Sequence, residues 1–184
     1  RRVEAPSVWS VCCDNQRMAA EVADYLARQR RRACAFVAGD PEVSTTRDRL
    51  LGFEQGLARH GQRLVACVQG GFTYEGGSAA AACLFSAGQP HIDAVFCAND
   101  VMALGVLSYL RMSTSLRVPE DVAVIGFDDI PAAGYPEHGL TTVRQPLNPM
   151  IDCAIGLLDA GRPDGNAIQT LHELPGCLVP RCTA

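Results

Sequence analysis

The sequence predicts an α/β fold, a doubly wound parallel sheet, on two observations. Short β-rich runs alternate with helical patterns along the first 127 residues, the rhythm of successive βαβ units. The runs are apolar at nearly every position, as strands covered by helices on both faces are.

The candidate strands are 8–12, 33–38, 64–68, 92–97 and 122–127. Between them lie four stretches whose apolar residues recur every three to four positions. They are Met18, Val22, Tyr25 and Leu26; Leu50, Phe53 and Leu57; Ala80, Ala81, Leu84 and Phe85; and Val101, Leu104, Leu107 and Leu110. Asp14-Asn15, Ser44-Thr45-Thr46 and Asn99-Asp100 each stand where a helix should be capped. After Phe127 the rhythm breaks into a loop, 128–139, rich in Pro, Gly and Ala. A short extended piece (140–144) and a helix (147 to about 159) follow. That helix carries an apolar stripe of Leu147, Met150, Ile151, Ala154, Ile155 and Leu158, and Gly161-Arg162-Pro163-Asp164-Gly165 stops it. Two last extended segments, 168–174 and 177–180, flank Pro175-Gly176.

A chain of 184 residues is one domain or a little more. With 48% hydrophobic and 20% charged residues, it can bury a sizeable core and is not a disordered chain. No apolar run reaches the ~18 residues of a membrane span. Residues 1–6 lack the apolar stretch of a secretory signal. The net charge of −4, with arginine as every basic residue, offers no general field for a phosphate backbone. Nine cysteines form no Cys-x-x-Cys and no zinc-ligand spacing with the four histidines. Most sit among Val, Ala, Phe and Leu, so they read as buried apolar thiols in a reducing cytoplasm.

In an open parallel sheet, ligands bind beyond the carboxyl ends of the strands. The residues delivered there are Thr45 and Arg49 after the second strand, Phe72 after the third, Asn99 after the fourth and Asp128 after the fifth. An aromatic face with an arginine, an amide and a carboxylate suits a sugar or polyol. Each residue has a plainer reading. Asn99 and Asp100 serve equally as helix caps, Arg47-Asp48-Arg49 as a solvated first turn, and Phe72 as a lid on the core. Asp128-Asp129 reads also as a turn or as an acidic Mg²⁺ pocket. Convergence on one rim favours a site.

Enzymatic readings find little. The chain has no Gly-x-Gly-x-x-Gly, Walker lysine, His-Glu-x-x-His or Gly-x-Ser-x-Gly. The vicinal pair Cys12-Cys13 has only Arg17 nearby in sequence to stabilise a thiolate. No enzyme activity, cofactor or metal is expected.

Three segments taken in order, 96–105, 116–129 and 140–146, resemble the effector-binding region of the lactose-repressor (LacI/GalR) family of bacterial transcription regulators. Asp14-Asn15, 44–53, 71–74 and 173–181 fit as well, so the resemblance covers nearly the whole chain. It implies the carboxyl-terminal lobe of a type I periplasmic-binding-protein-like domain (13–143 and 164–184). A crossing strand (1–12) and a crossing segment with one helix (144–163) would belong to the other lobe. The family's helix-turn-helix headpiece is missing from these residues, which implies a chain truncated at its amino terminus. The resemblance further implies a small-molecule effector held by Thr45, Arg49, Phe72, Asn99, Asp128 and Gln145, with Asp129 making no ligand contact. It implies a homodimer through the helix at 100–111 and the loop after Asp129, with operator DNA bound only through the headpiece. Cys13 and Gly71 depart from what relatives commonly carry, which blurs effector identity. The alternative is a periplasmic-type sugar-binding protein of a transport system.

Overall fold

The computed structural model describes residues 8–160 and 171–184. The segments 161–165 and 168–170, read above as a helix stop and the start of a strand, lie outside the described residues, as do residues 1–7. The order is β1 (Ser10–Cys13), α1 (Asn15–Arg28), β2 (Cys34–Ala38), α2 (Ser44–Arg59), β3 (Ala66–Gln69), α3 (Tyr74–Leu84), β4 (Ala94–Cys97), α4 (Asp100–Ser113) and β5 (Ala123–Ile125). A 3-10 turn at Pro131–Gly134, β6 (Thr142–Arg144), α5 (Leu147–Asp159), β7 (Leu171–Leu174) and β8 (Cys177–Val179) complete it.

Four parallel strands in the order β3-β2-β4-β5 form the central sheet. From β2 the chain steps outward to β3, and from β4 it steps outward the other way to β5. Right-handed crossovers in opposite directions place α2 and α4 on opposite faces. The α/β doubly wound expectation holds. Phe36, Phe53 and Phe96 form a buried aromatic cluster with centroids 5.0–6.2 Å apart. Gly52 and Gly105 allow the helix pairs to close: a Cβ would come within 2.1 Å of Gln16 O in the first case and of Tyr74 O in the second.

Three details differ from expectation. β3 is an edge strand whose residues alternate between half-buried and exposed, because among the described residues no strand pairs with its outer side. The cysteines split, with 12, 13, 34 and 97 buried, 153 half-buried and 67, 83, 177 and 182 exposed, the last four lying on edge strand β3, on the outer face of α3, in β8 and in the final turn. Helix α2 is capped by Val43 without a side-chain hydrogen bond, and Ser44 already lies inside the helix. The turn before it is closed instead by Asp40 Oδ1 accepting from Glu42 N at 2.9 Å. Asp14 and Asn99 do cap α1 and α4.

Outside the central sheet, β1 pairs in parallel with β7, and β6 pairs antiparallel with β8. Helix α5 packs on β1 but has no buried residue, and Leu147, Ile151, Ile155 and Leu158 are each at least 52% exposed. The apolar stripe therefore finds no covering sheet among the described residues.

Candidate functional site

The sheet changes direction between β2 and β4, and the carboxyl ends of those strands open a crevice there. A concavity of about 220 Å³ occupies it, lined by Val43, Thr45, Arg49, Phe72, Asn99 and Asp128. Five of the six expected residues thus share one wall. The sixth, Gln145, lines an adjoining hollow of about 360 Å³ with Asp128, Asp129, Arg144 and the first turn of α5. It reaches the first through Asp128, whose Oδ1 accepts from Gln145 Nε2 at 2.7 Å.

Arg49 is not the solvated arginine of a first helical turn. It is 4% exposed. Its Nε donates to Asn15 Oδ1 at 2.9 Å, and its Nη1 donates to the Ala98 carbonyl. Its Nη2 stands 3.6 Å from Asp128 Oδ1, and its guanidinium lies 3.5 Å from the centre of the Phe127 ring. Burial pushes its pKa below the ordinary arginine value, with Asp128 the main opposing influence. The fold spends most of this side chain on Asn15 of α1, on the Ala98 carbonyl just past β4 and on the Phe127 ring, with Nη2 left facing Asp128 while the residue still lines the concavity. Asn15, read as a cap residue, is the piece that sequence missed. Its Nδ2 donates to Cys13 O at 2.8 Å, aiming Oδ1 at Arg49.

Phe72 has φ +63°, and its ring lies over Gly39, where a Cβ would come within 2.4 Å of three ring carbons. The glycine is required for the ring to lie there. Asn99 is the helix cap of its plainer reading, Oδ1 accepting from Met102 N at 2.9 Å, and it also lines the concavity. Asp128 stands at φ +119°, three residues beyond β5. Burial raises its pKa above the usual carboxylate value, opposed by Arg49 and Gln145.

Behind this wall, Asp100 is fully buried. It accepts from Thr142 Oγ1 at 2.5 Å and from Ile130 N at 2.9 Å. Burial raises it to about 6 despite those two donors. No local pattern distinguishes this carboxylate from a cap residue. Asp129 is gripped by Arg144 Nε and Arg181 Nη2, each at 2.6 Å. The Mg²⁺ reading of Asp128-Asp129 therefore meets carboxylates already faced by cations and an amide, and among the described residues no three His, Cys, Asp or Glu side chains group as metal ligands. The Cys12-Cys13 pair is buried. Burial pushes the Cys13 thiol up to about 11, with Arg49 opposing, and Arg17 is paired with Glu21 at 3.1 Å. Cys13 is therefore not a low-pKa redox thiol.

A parallel sheet covered by helices, with a polar, aromatic-walled crevice at its switch point, is the architecture of a periplasmic-binding-protein-like domain. The family model described as a periplasmic binding protein-like domain matches residues 23–184. The chain belongs to that family and, within it, to the LacI type of regulator. It is 39% identical over 139 residues to the HTH-type transcriptional repressor CytR of Escherichia coli (strain K12), covering 74% of this chain and 40% of that protein. The crystal structure of a LacI transcriptional regulator from a Rhodococcus species matches with TM-score 0.88 and 30% identity, covering 98% of this chain and 66% of that one. A complex of the transcriptional regulator CelR with cellobiose matches with TM-score 0.86 and 33% identity, covering all of this chain and 57% of that one. The chain spans less than half the length of the curated relatives CytR and AscG. Among the described residues, no helix is long and apolar enough to cross a membrane.

Proposed function

We propose that this chain is the effector-sensing part of a LacI-type bacterial transcription regulator, not an enzyme, acting in the cytoplasm. A small, hydroxyl-rich effector, a sugar or nucleoside-like molecule, binds against Thr45, Arg49, Phe72, Asn99, Asp128 and Gln145. The observation that carries this is the meeting of five of those side chains in one concavity at the switch point of the sheet. Phe72 offers a ring face for stacking, Asn99 and Arg49 offer N–H groups, and Asp128 accepts from hydroxyls. The cellobiose complex of the CelR relative supports a sugar. The transport-protein alternative has no comparable support, because the named relatives are regulators.

The division into a carboxyl-terminal lobe (13–143 and 164–184) and segments of a second lobe (1–12 and 144–163) belongs to the same reading. The packing of α5 on β1 apart from the central sheet supports it, whereas the pairing of β1 with β7 draws residues 171–174 towards the second lobe. Homodimerisation through α4 and the loop after Asp129 is supported by the exposure of Met112 on the first and Tyr135 on the second. Operator DNA is contacted by a headpiece outside these residues. The test is calorimetric titration of the full-length protein with monosaccharides, cellobiose and nucleosides, alongside an operator-release assay. Binding by one of them, lost in Asp128→Ala, is expected. Binding of Mg²⁺ and of no small molecule overturns the reading.

A further inference from the structure

Two consecutive aspartates meet two consecutive residues of the segment leading into α5. Asp128 holds Gln145, and Asp129 holds Arg144. Both aspartates have positive φ, +119° and +56°. Aspartate visits the left-handed well at about +57° readily, as Asp129 does, but φ +119° at Asp128 lies outside that well and persists only where the surroundings over-determine it. Asp128 is poorly placed to hold itself there, because its carboxylate is 30% exposed and faces the concavity. Asp129 is the better anchor. Its carboxylate is 8% exposed, with one oxygen on Arg144 and the other on Arg181. Arg181 is moored in turn, Nη1 donating to Leu140 O at 2.7 Å and its backbone N–H to Thr141 Oγ1 at 2.9 Å. Asp128 N donates to Val143 O at 2.8 Å, completing the seam between this loop and β6.

We propose that Asp129 is a positioning residue for the ligand site: the Arg144–Asp129–Arg181 clamp holds Asp128 in its positive-φ conformation and sets Gln145 beside it. Ligand affinity then depends on a carboxylate that does not line the concavity. The inference rests on reading the concavity as the effector site. It gives Asp129 a role in affinity without a ligand contact, because both arginines share one buried carboxylate and the clamp is lost as a unit.

The experiment compares Asp129→Asn, Arg144→Gln, Arg144→Lys and the double variant Asp129→Asn/Arg144→Gln in the full-length protein. One arm measures hydrogen exchange at the Asp128 amide without ligand. The other titrates the monosaccharides, cellobiose and nucleosides by calorimetry. Exchange at Asp128 is expected to quicken in Asp129→Asn and Arg144→Gln. The tightest-binding probe should lose about tenfold in affinity in each, and the double variant should lose no more than the larger single loss. Arg144→Lys keeps the charge and should stay within about threefold of wild type. Arg144 is 56% exposed, so Arg144→Gln tests the clamp even if Asp129→Asn fails to fold. Unchanged exchange at Asp128 in Arg144→Gln overturns the proposal whether or not any probe binds. Faster exchange with affinity within twofold of wild type overturns its link to the ligand. If no probe binds wild type, the effector reading fails by itself, and the exchange arm still decides the clamp.

Discussion

Replacing Arg49 with alanine should damage the fold as well as the site. The guanidinium satisfies Asn15 Oδ1 and the Ala98 carbonyl, covers Phe127 and faces Asp128. Leaving a buried acceptor unpaired costs about 1–3 kcal/mol. Losing a desolvated cation–π contact costs about 0.5–2 kcal/mol. Breaking a buried ion pair from one side costs about 3–5 kcal/mol, discounted here because Asp128 is partly exposed and the pair is 3.6 Å apart. These losses overlap, since one side chain makes all the contacts, so a net of about 3 kcal/mol is expected. For a chain of this size that lowers the melting midpoint by roughly 6–12 °C. Urea unfolding of wild type, Arg49→Ala and Arg49→Lys measures it. Lysine keeps the charge but lacks the planar fork that reaches three partners, so it should recover less than half. A loss below about 1 kcal/mol in Arg49→Ala would refute the view of Arg49 as a structural hub.

Asp128→Asn should weaken effector binding about 10- to 150-fold, the worth of a charged hydrogen bond. It should change unfolding free energy by less than about 1 kcal/mol, because burial already disfavours the charge; calorimetry and urea midpoints read the two effects. Asp100 gives a pH dependence of opposite sign to that of a salt-bridged carboxylate. Its folded pKa, about 6, lies above its ordinary 3.8, so the folded state binds the proton more tightly and stability from this group falls as pH rises through 6. Relative to Asp100→Asn, wild type should gain about 1 kcal/mol between pH 7 and pH 5 in urea titrations; parallel profiles would remove Asp100 as the source. The 184-residue chain should self-associate through the exposed α5 stripe. Light scattering should detect this, and Ile151→Glu with Ile155→Glu should reverse it; a monomeric wild type with α5 ordered and solvated contradicts the expectation. With net charge −4, the same chain should shift operator DNA no more than a neutral control in a gel assay.

Much of this was legible in the linear order of residues. Periodicity located the five α-helices of the described residues, and strand composition located the central sheet with ends shifted by at most two residues. Strand-end logic, with the family resemblance, picked the side chains that share the concavity. The acidic net charge, the missing catalytic motifs and the apolar stripe of α5 are likewise properties of the sequence alone. What the tertiary structure decided is how the polar groups are spent. Arg49 meets Asn15 across 34 residues and Ala98 across 49, and Asp129 meets Arg181 across 52. Periodicity and capping act within a turn or two, so they specify elements and the face each presents. The order β3-β2-β4-β5 brings residues after β2 and β4 to one crevice, and it turns Arg49 from a surface arginine into a buried one. Sheet order and crossover direction are decided by long-range packing, and the partners of a buried charge follow from them.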